Sequence, residues 1–592
     1  MTPEFVNPFP KAHPGPSDAD PLTDDELSLL LAIPRAAEST PNSTLFRLPL
    51  GPHPSMGFVD ATCAEVRSIV ARLASTWKTK LAELLHKPDE PGCEWSIGPG
   101  TTICIMVEPS FHGIFHLLAF WAIGCTIQFV SAVDPEVGIT QLNECHCRAM
   151  ICSGLSEKQI DKWRKGFDGA IIQLPEQEQP HRLVQAEKHG QHNTFYPWPT
   201  AQRPTPAFIL QSSGTTGVPK LLRFSLYFYT IGLANHRQNQ FSLARLSRTY
   251  KSPYTHPRLV LVPFYWPSFY TYLVITLATG TPMAFAYFMD VLRLTGNKIV
   301  EWALALDVGA IGCTSGMFRQ IPEAMLETHS EFFRSLLSLS FGGSAMDVAL
   351  SHTLERLKIP VTNVYGSSEL GNILIARKAP YTHLTPLRAK PPPLVRPISE
   401  YGPDGSRYVE LWVLASSSVH ITHHLAYGGV PIKLEPFLGD GPHNGEPAFN
   451  LEDIFKEITI NNASGSGSET VYIHAGRHGD QLRLTGLGVA DIDAPLYEGL
   501  FTSEANARMV QLDGRPWTVD VVELFGTNMP STALVIQLHL DQDQDHDLGG
   551  GSSSQELPIS ELFDVVEKMS GAWTRIRKTR ALQASTLFEY HT

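Results

Sequence analysis

The sequence predicts an α/β protein whose mostly parallel sheets are wrapped by helices, and three observations carry that reading. Short apolar runs that look like buried strands alternate with helical runs along most of the chain, the pattern of a parallel sheet covered on both faces. At 592 residues the chain is too long for one compact core, so roughly two to four domains are expected. The most membrane-like stretch, Ile114 to Val133, is interrupted by Gly124 and Gln128. It reads as a buried helix (Ile114 to Ile123), a turn and a strand (Thr126 to Val130), and no membrane span is expected.

In chain order, residues 1–25 are rich in Pro and Asp and read as a loose arm. Ala64 to Leu85 carries Val66, Ile69, Val70, Leu73 and Trp77 at helical spacing, a stripe for core packing. Thr101 to Val107 and Ala149 to Cys152 are strands, and Glu176 to Pro206 is a polar connector with several prolines. Ser225 to Gln240 can form a helix. Leu259 to Pro263 is a strand ending in the aromatic triplet Phe264-Tyr265-Trp266, and Ser268 to Ala278 is a helix closed by Gly280. Val409 to Leu414 alternates as a strand, and so does Leu534 to Leu540; Pro558 to Met569 suits a helix.

Composition narrows the function classes. A net charge of −13 argues against a general nucleic-acid binder. Eight cysteines without a regular framework fit a reducing compartment, and with no apolar signal segment at the start a cytoplasmic location is expected. Cys145-His146-Cys147 lacks a second ligand pair at zinc-site spacing.

The densest chemistry lies in Ser212-Ser213-Gly214-Thr215-Thr216-Gly217-Val218-Pro219-Lys220, after the apolar run Ala207 to Gln211. Glycines let backbone amides approach a polyphosphate, the hydroxyls add neutral donors, and Lys220 supplies a mobile positive charge. It is not a Walker A loop, because Val218-Pro219 precede the lysine and Leu221 follows it. Leu221 to Ser225 reads as a strand, so no helix N-terminus is aimed at the phosphate.

Two later segments, Ser338 to Ala345 and Val364 to Glu369, each run from a short apolar strand into Gly and hydroxyl residues, and strand ends of this kind bind ligands in α/β sheets. Gly342-Gly343 lets a flat ring lie on the backbone, Tyr365 offers a stacking face, and Glu369 is a hard oxygen ligand suited to Mg²⁺. Farther on, Glu452 and Asp453 place two carboxylates among apolar residues; taken alone, they read as a strand end entering a turn.

The 212–220 loop resembles the phosphate-binding signature of the adenylate-forming superfamily: acyl-CoA synthetases, luciferases and adenylation domains of nonribosomal peptide synthetases. The later segments are similar to its adenine-side Gly-Gly element and its Tyr-Gly-x-Ser/Thr-Glu motif, in the family's order. Spacing and detail are most similar to adenylation domains of fungal synthetase-like carboxylic acid reductases. The resemblance implies a large domain over 26–476 and a small mobile α+β lid over 477–592. It implies ATP and Mg²⁺ as cofactors, a small carboxylic acid as substrate, and a phosphopantetheine thiol, on a carrier protein or CoA, as acceptor. By the same resemblance, Thr215, Thr216 and Lys220, with Ser212, Ser213, Gly214 and Gly217, receive the leaving pyrophosphate. Gly343, Ser344 and Tyr365 hold adenine, Ser368 lies near the α-phosphate, Glu369 holds magnesium, and Asp453 with Arg477 holds ribose. Phe264 to Ser268, Ile311 to Ser315 and the 342–346 turn would line the acid pocket, and the aromatics favour a flat or apolar acid.

The chain has no His after Phe264, where the family commonly carries Phe-His, and it departs from the family in three further places. Leu451-Glu452 replaces Thr-Gly before Asp453, Gly479 stands at the hinge position, and no Gly-Lys element follows Met569. Two readings therefore stand: a ligase that makes an acyl-adenylate, and a repurposed member that binds an acyl or nucleotide ligand, or transfers an acyl group, without adenylation.

Overall fold

The structure is a computed structural model that describes residues 12–85, 97–107, 110–130, 135–192, 194–212, 220–233, 252, 254–262, 264–288, 294–343, 345–346, 348–388, 390–461, 468–477, 481–483, 491–493, 498, 501–502, 505–506, 517–525, 533–540, 562–564, 575–578 and 586–591. It divides into two compact units: residues 1–396, 412–451 and 458–473 form the first, and 397–411, 452–457 and 474–592 the second.

Two mostly parallel sheets lie within the first unit. One has six strands, ordered Ala170–Gln173, Ala149–Ser153, Thr102–Val107, Thr126–Gln128, Phe208–Ser212 and Lys220–Phe224, all parallel except the last. The other has nine. Thr362–Ser367, Ser338–Phe341, Ala310–Cys313, Arg258–Val260, Met283–Ala284 and Thr44–Pro49 run parallel, with antiparallel strands at both edges.

Successive residues of a strand face opposite sides, and both sides here are apolar. In the six-stranded sheet Ile103 and Ile105 enter one core cluster while Cys104 and Met106 enter another. In the nine-stranded sheet Val260 joins the first of these clusters, and Leu259, Ile311, Leu339 and Phe341 form a third. The unit is therefore layered helix, sheet, helix, sheet, helix.

The central layer includes the predicted helices. Cys63–Leu85 buries Val66, Ile69, Val70, Leu73 and Trp77, the stripe read from its spacing. It begins at a reciprocal cap in which Thr62 N–H donates to Glu65 Oε2 (2.7 Å) and Glu65 N–H to Thr62 Oγ1 (3.3 Å). Ile114–Ala122 is buried at every position. Trp77 Nε1–H donates to His116 Nδ1 (3.0 Å) between these two helices, and burial holds His116 down at about 3, so the ring is neutral. Pro267–Thr279 ends at Gly280, whose φ of 65° is the left-handed cap the sequence anticipates.

Two expectations need correction. The stretch 176–206 is not a plain connector, because Pro180–Lys188 is a helix with Pro at its first turn. Residues 12–25 of the expected loose arm are pinned: the Arg203 guanidinium donates to the carbonyls of Ser17, Asp20 and Pro21 and pairs with Glu26 at 2.6 Å. A buried guanidinium needs acceptors for its whole fork of donors, and the turn at 17–20 with Pro21 after it supplies carbonyls that a helix would have used internally.

In the second unit Trp517–Phe525, Ala533–Leu540, Thr586–His591 and Arg575–Lys578 form an antiparallel sheet in that order, and Gln481–Arg483 pairs with Asp491–Asp493. The helix expected over Pro558 to Met569 is described only at residues 562–564, which are helical. Lys578 ends a strand opposite Phe588. No helix among the described residues is long and apolar enough to cross a membrane.

Removing one partner of the Glu26–Arg203 pair leaves a buried charge uncompensated. Glu26→Ala is expected to cost about 3–5 kcal/mol of unfolding free energy, measured by urea denaturation, with a change at exposed Glu38, Glu38→Ala, nearly neutral.

Candidate active site

The strands Arg258–Val260, Ala310–Cys313, Ser338–Phe341 and Thr362–Ser367 are adjacent and parallel, so they end on one edge. The segments leaving them are the aromatic triplet, Thr314-Ser315, Gly342-Gly343 and the turn after Ser367. A crevice outside the carboxyl ends of parallel strands is where open α/β sheets bind ligands.

Gly343 has φ 80°, a conformation that favours glycine, and a Cβ there would lie 3.6 Å from Trp266 Cζ3 and 3.8 Å from Thr314 Cγ2. The Gly-Gly element, the aromatic triplet and Thr314 thus line one place. Ser315 Oγ–H donates to Ala345 O (2.7 Å), tying two of these segments together. Phe264 stacks on Phe129 with centroids 5.5 Å apart, which joins the strand ends of the two sheets.

Tyr365, Ser368 and Glu369 arrive at the same edge, with one difference from expectation. The strand does not break before the glycine but continues through Tyr365-Gly366-Ser367 and returns in Gly371–Ala376, with Ser367 opposite Gly371. Gly366 is required there, since a Cβ would overlap the Gly371 carbonyl. Tyr365, Ser368 and Glu369 are half-buried.

The turn carrying Glu369 is held by side chains that sequence reasoning missed. His424 Nε2–H donates to Glu369 O (3.2 Å), Lys390 Nζ donates to Leu370 O (2.7 Å), and Leu370 N–H donates to Ser367 Oγ (3.2 Å). Burial lowers His424 to about 4 and Lys390 to about 8. Neither residue has a motif around it, because both act through a backbone carbonyl far away in sequence.

Phe208–Ser212 and Lys220–Phe224 pair antiparallel with Ser212 opposite Lys220, so residues 213–219 connect two paired strands, the strands expected on either side of them. Ser213, Gly214, Thr215, Thr216, Gly217 and Ser344 lie outside the described residues.

Asp453 and Arg477 belong to the second unit. Asp453 is not at a strand end: it lies inside Pro447–Asn461, next to Glu452, which has φ 60°. The left-handed residue kinks the strand without ending it. His474 Nε2 approaches Asp453 Oδ1 at 3.6 Å, and the His474 ring packs edge-on against Phe455. The period-two spacing of Tyr472 and His474 is the one sequence signal for this partner. Arg477 ends Ser468–Arg477, and the hinge position Gly479 lies outside the described residues.

Among the described residues no cluster of three or more His, Cys, Asp or Glu side chains gathers as a metal cage. Glu369 is a single hard carboxylate at the edge, which fits Mg²⁺ held by one protein ligand with phosphate and water oxygens supplying the rest.

A family model described as AMP-binding enzyme matches residues 94–398. Among solved structures, O-succinylbenzoate coenzyme A synthetase from Bacillus subtilis in complex with ATP and magnesium superposes with a TM-score of 0.55 at 14% identity, over 92% of this chain and 93% of that one. The same enzyme with its acyl-adenylate intermediate gives 0.54 at 13%, over 92% of each chain. The luciferase-like enzyme from the nonluminescent mealworm Zophobas morio gives 0.50 at 17%, over 79% of this chain and 98% of that one. At these identities the likeness is one of fold. No curated protein matches the sequence.

His116 and His424 are held at about 3 and about 4, below the usual 6.5, so the unfolded chain binds more protons than the folded one between those values. Their contribution to stability is complete above pH 6.5 and is lost as pH falls through 4. Urea midpoints should therefore drop progressively from pH 7 to pH 4, and the drop should be smaller in His424→Gln.

Proposed function

The chain belongs to the AMP-binding enzyme family, and from that premise we propose that it activates a small aromatic or apolar carboxylic acid with ATP. The substrate carboxylate oxygen attacks the α-phosphorus, the bond to the β-phosphate oxygen breaks, and pyrophosphate leaves with the electron pair. A thiol of CoA or of a carrier-bound phosphopantetheine then attacks the acyl carbon and AMP leaves. The observation that carries the reading is the convergence of Trp266, Thr314, Gly343 and the Tyr365–Glu369 turn at one edge of parallel strands.

In this reading Ser212, Ser213, Gly214, Thr215, Thr216, Gly217 and Lys220 stabilise charge on the departing pyrophosphate. Gly343, Ser344 and Tyr365 hold adenine, Ser368 lies by the α-phosphate, and Asp453 with Arg477 fixes ribose. Glu369 would hold magnesium, which when bound neutralises phosphate charge. His424 and Lys390 keep the Glu369 turn in place. Residues 26–476 act as the adenylation domain and 477–592 as the lid whose rotation admits the thiol. The finer affinity, to adenylation domains of fungal synthetase-like reductases in secondary metabolism, rests on motif spacing.

A second reading, acyl or nucleotide binding without adenylation, is favoured by Lys578. Lys578 lies in a paired strand and not in a glycine loop.

Exchange of labelled pyrophosphate into ATP, run across aromatic and aliphatic acids, separates the two. The ligase reading expects exchange that falls at least about a hundredfold in Lys220→Ala, and a raised magnesium requirement in Glu369→Gln. Nucleotide binding without exchange for any acid would favour the second reading.

A further inference from the structure

The helix Pro267–Thr279 lies over one face of the strands Ala310–Cys313 and Ser338–Phe341, and the two faces of the second strand differ sharply. Leu339 and Phe341 are fully buried in the core beneath, while Ser338 and Ser340 on the opposite face are half-buried. Thr362 and Val364 on the next strand are half-buried too, and Gly312 is the register partner of Ser340. Gly312, Ser340 and Thr362 keep this part of the face small, beside Val260, which is buried in the first core cluster.

One large side chain enters it. Tyr272 lies against Gly312, where a Cβ would be 2.5 Å from its Cζ, so the glycine is what admits the phenol. Burial pushes the Tyr272 phenol up, yet the residue packs at the rim of the first core cluster and retains accessible surface. Arg258 lies 5.6 Å from the ring centroid. At the strand ends above it stand Trp266, Thr314 and Gly343. From Trp266 to Tyr272 is six residues of helix, roughly 9 Å, and from Thr314 to Gly312 two residues of strand, roughly 7 Å.

The hydrogen bonds have a direction. Ser340 Oγ–H donates to Ile311 O (3.3 Å), so the Ser340 oxygen accepts from Tyr272 O–H (3.3 Å). That leaves lone pairs on the phenol oxygen for a ligand donor.

We propose that Tyr272 is a specificity-determining residue: it closes the acid pocket about one ring below Trp266, Thr314 and Gly343 and accepts a hydrogen bond from an O–H or N–H at the far end of the acid. The preferred substrate class is a single-ring aromatic acid bearing such a donor opposite its carboxylate. The inference rests on the acid-activating reading of the site. A pocket that hydrogen-bonds its ligand rejects the analogue lacking the donor more strongly than an apolar pocket rejects a change of size.

The test is equilibrium binding by calorimetry, which needs no chemistry, alongside pyrophosphate exchange. Benzoic, 4-hydroxybenzoic and biphenyl-4-carboxylic acids are the probes. Wild type should bind 4-hydroxybenzoic acid about tenfold more tightly than benzoic acid and exclude the biphenyl acid. Tyr272→Phe should bring the hydroxy-to-unsubstituted ratio close to one, and Tyr272→Ala should admit the biphenyl acid. Gly312→Ala, whose methyl displaces the phenol, should shift the ratio in the same direction as Tyr272→Phe. Thermal melts establish that each variant is folded. Binding that follows this pattern without exchange would uphold the pocket assignment and sink adenylation. An unchanged ratio in folded Tyr272→Phe, or wild-type binding of the biphenyl acid, would overturn the assignment whether or not exchange occurs.

Discussion

Parallel pairing of Arg258–Val260, Ala310–Cys313, Ser338–Phe341 and Thr362–Ser367 is the constraint on which the first unit's site depends. Both faces of this sheet must be covered, and the register decides which residues go to which face. With Gly312 opposite Ser340, Leu339 and Phe341 point into one core and the small residues meet Tyr272 on the other face. A slip of one residue would turn Leu339 toward Tyr272 and Ser340 into the core, exchanging the two sets at once. The buried apolar set therefore also fixes the polar, half-buried one.

The turn carrying Glu369 shows how a loop at such an edge is held. Its neighbouring carbonyls are taken by His424 and Lys390 and its closing N–H by Ser367. Backbone polar groups enclosed by protein need partners, and here the partners come from a distant helix and strand approach. The same rule explains the N-terminal stretch, where Arg203 collects carbonyls from Ser17 to Pro21 and the carboxylate of Glu26. An isolated guanidinium in that position would be costly. With every acceptor in place, it fixes the path of an otherwise irregular segment.

In the second unit Asp453 follows a residue in the left-handed region and faces His474. Local strain of this kind is retained where surrounding structure over-determines it. Here the long strand continues on both sides of Glu452, and Phe455 packs against the same imidazole.

What the sequence determined by itself was the alternation of elements and the chemistry at strand ends. The stripe from Val66 to Trp77, the glycine cap at Gly280, the strands on either side of 213–219 and the motif from Tyr365 to Glu369 are local patterns, and local patterns follow from helix and strand periodicity and from backbone freedom at glycine. The structure changed the reading where the deciding partner is remote. Residues 12–25 read as loose because Arg203 lies far along the chain, and Asp453 read as a strand end because Glu452 masks a continuing strand. His424, Lys390 and Tyr272 carried no signal, since each is defined by a carbonyl, a glycine or a hydroxyl on another element. Only tertiary packing decided those contacts: side-chain periodicity assigns a residue to a face, but register and crossover connections choose what that face meets.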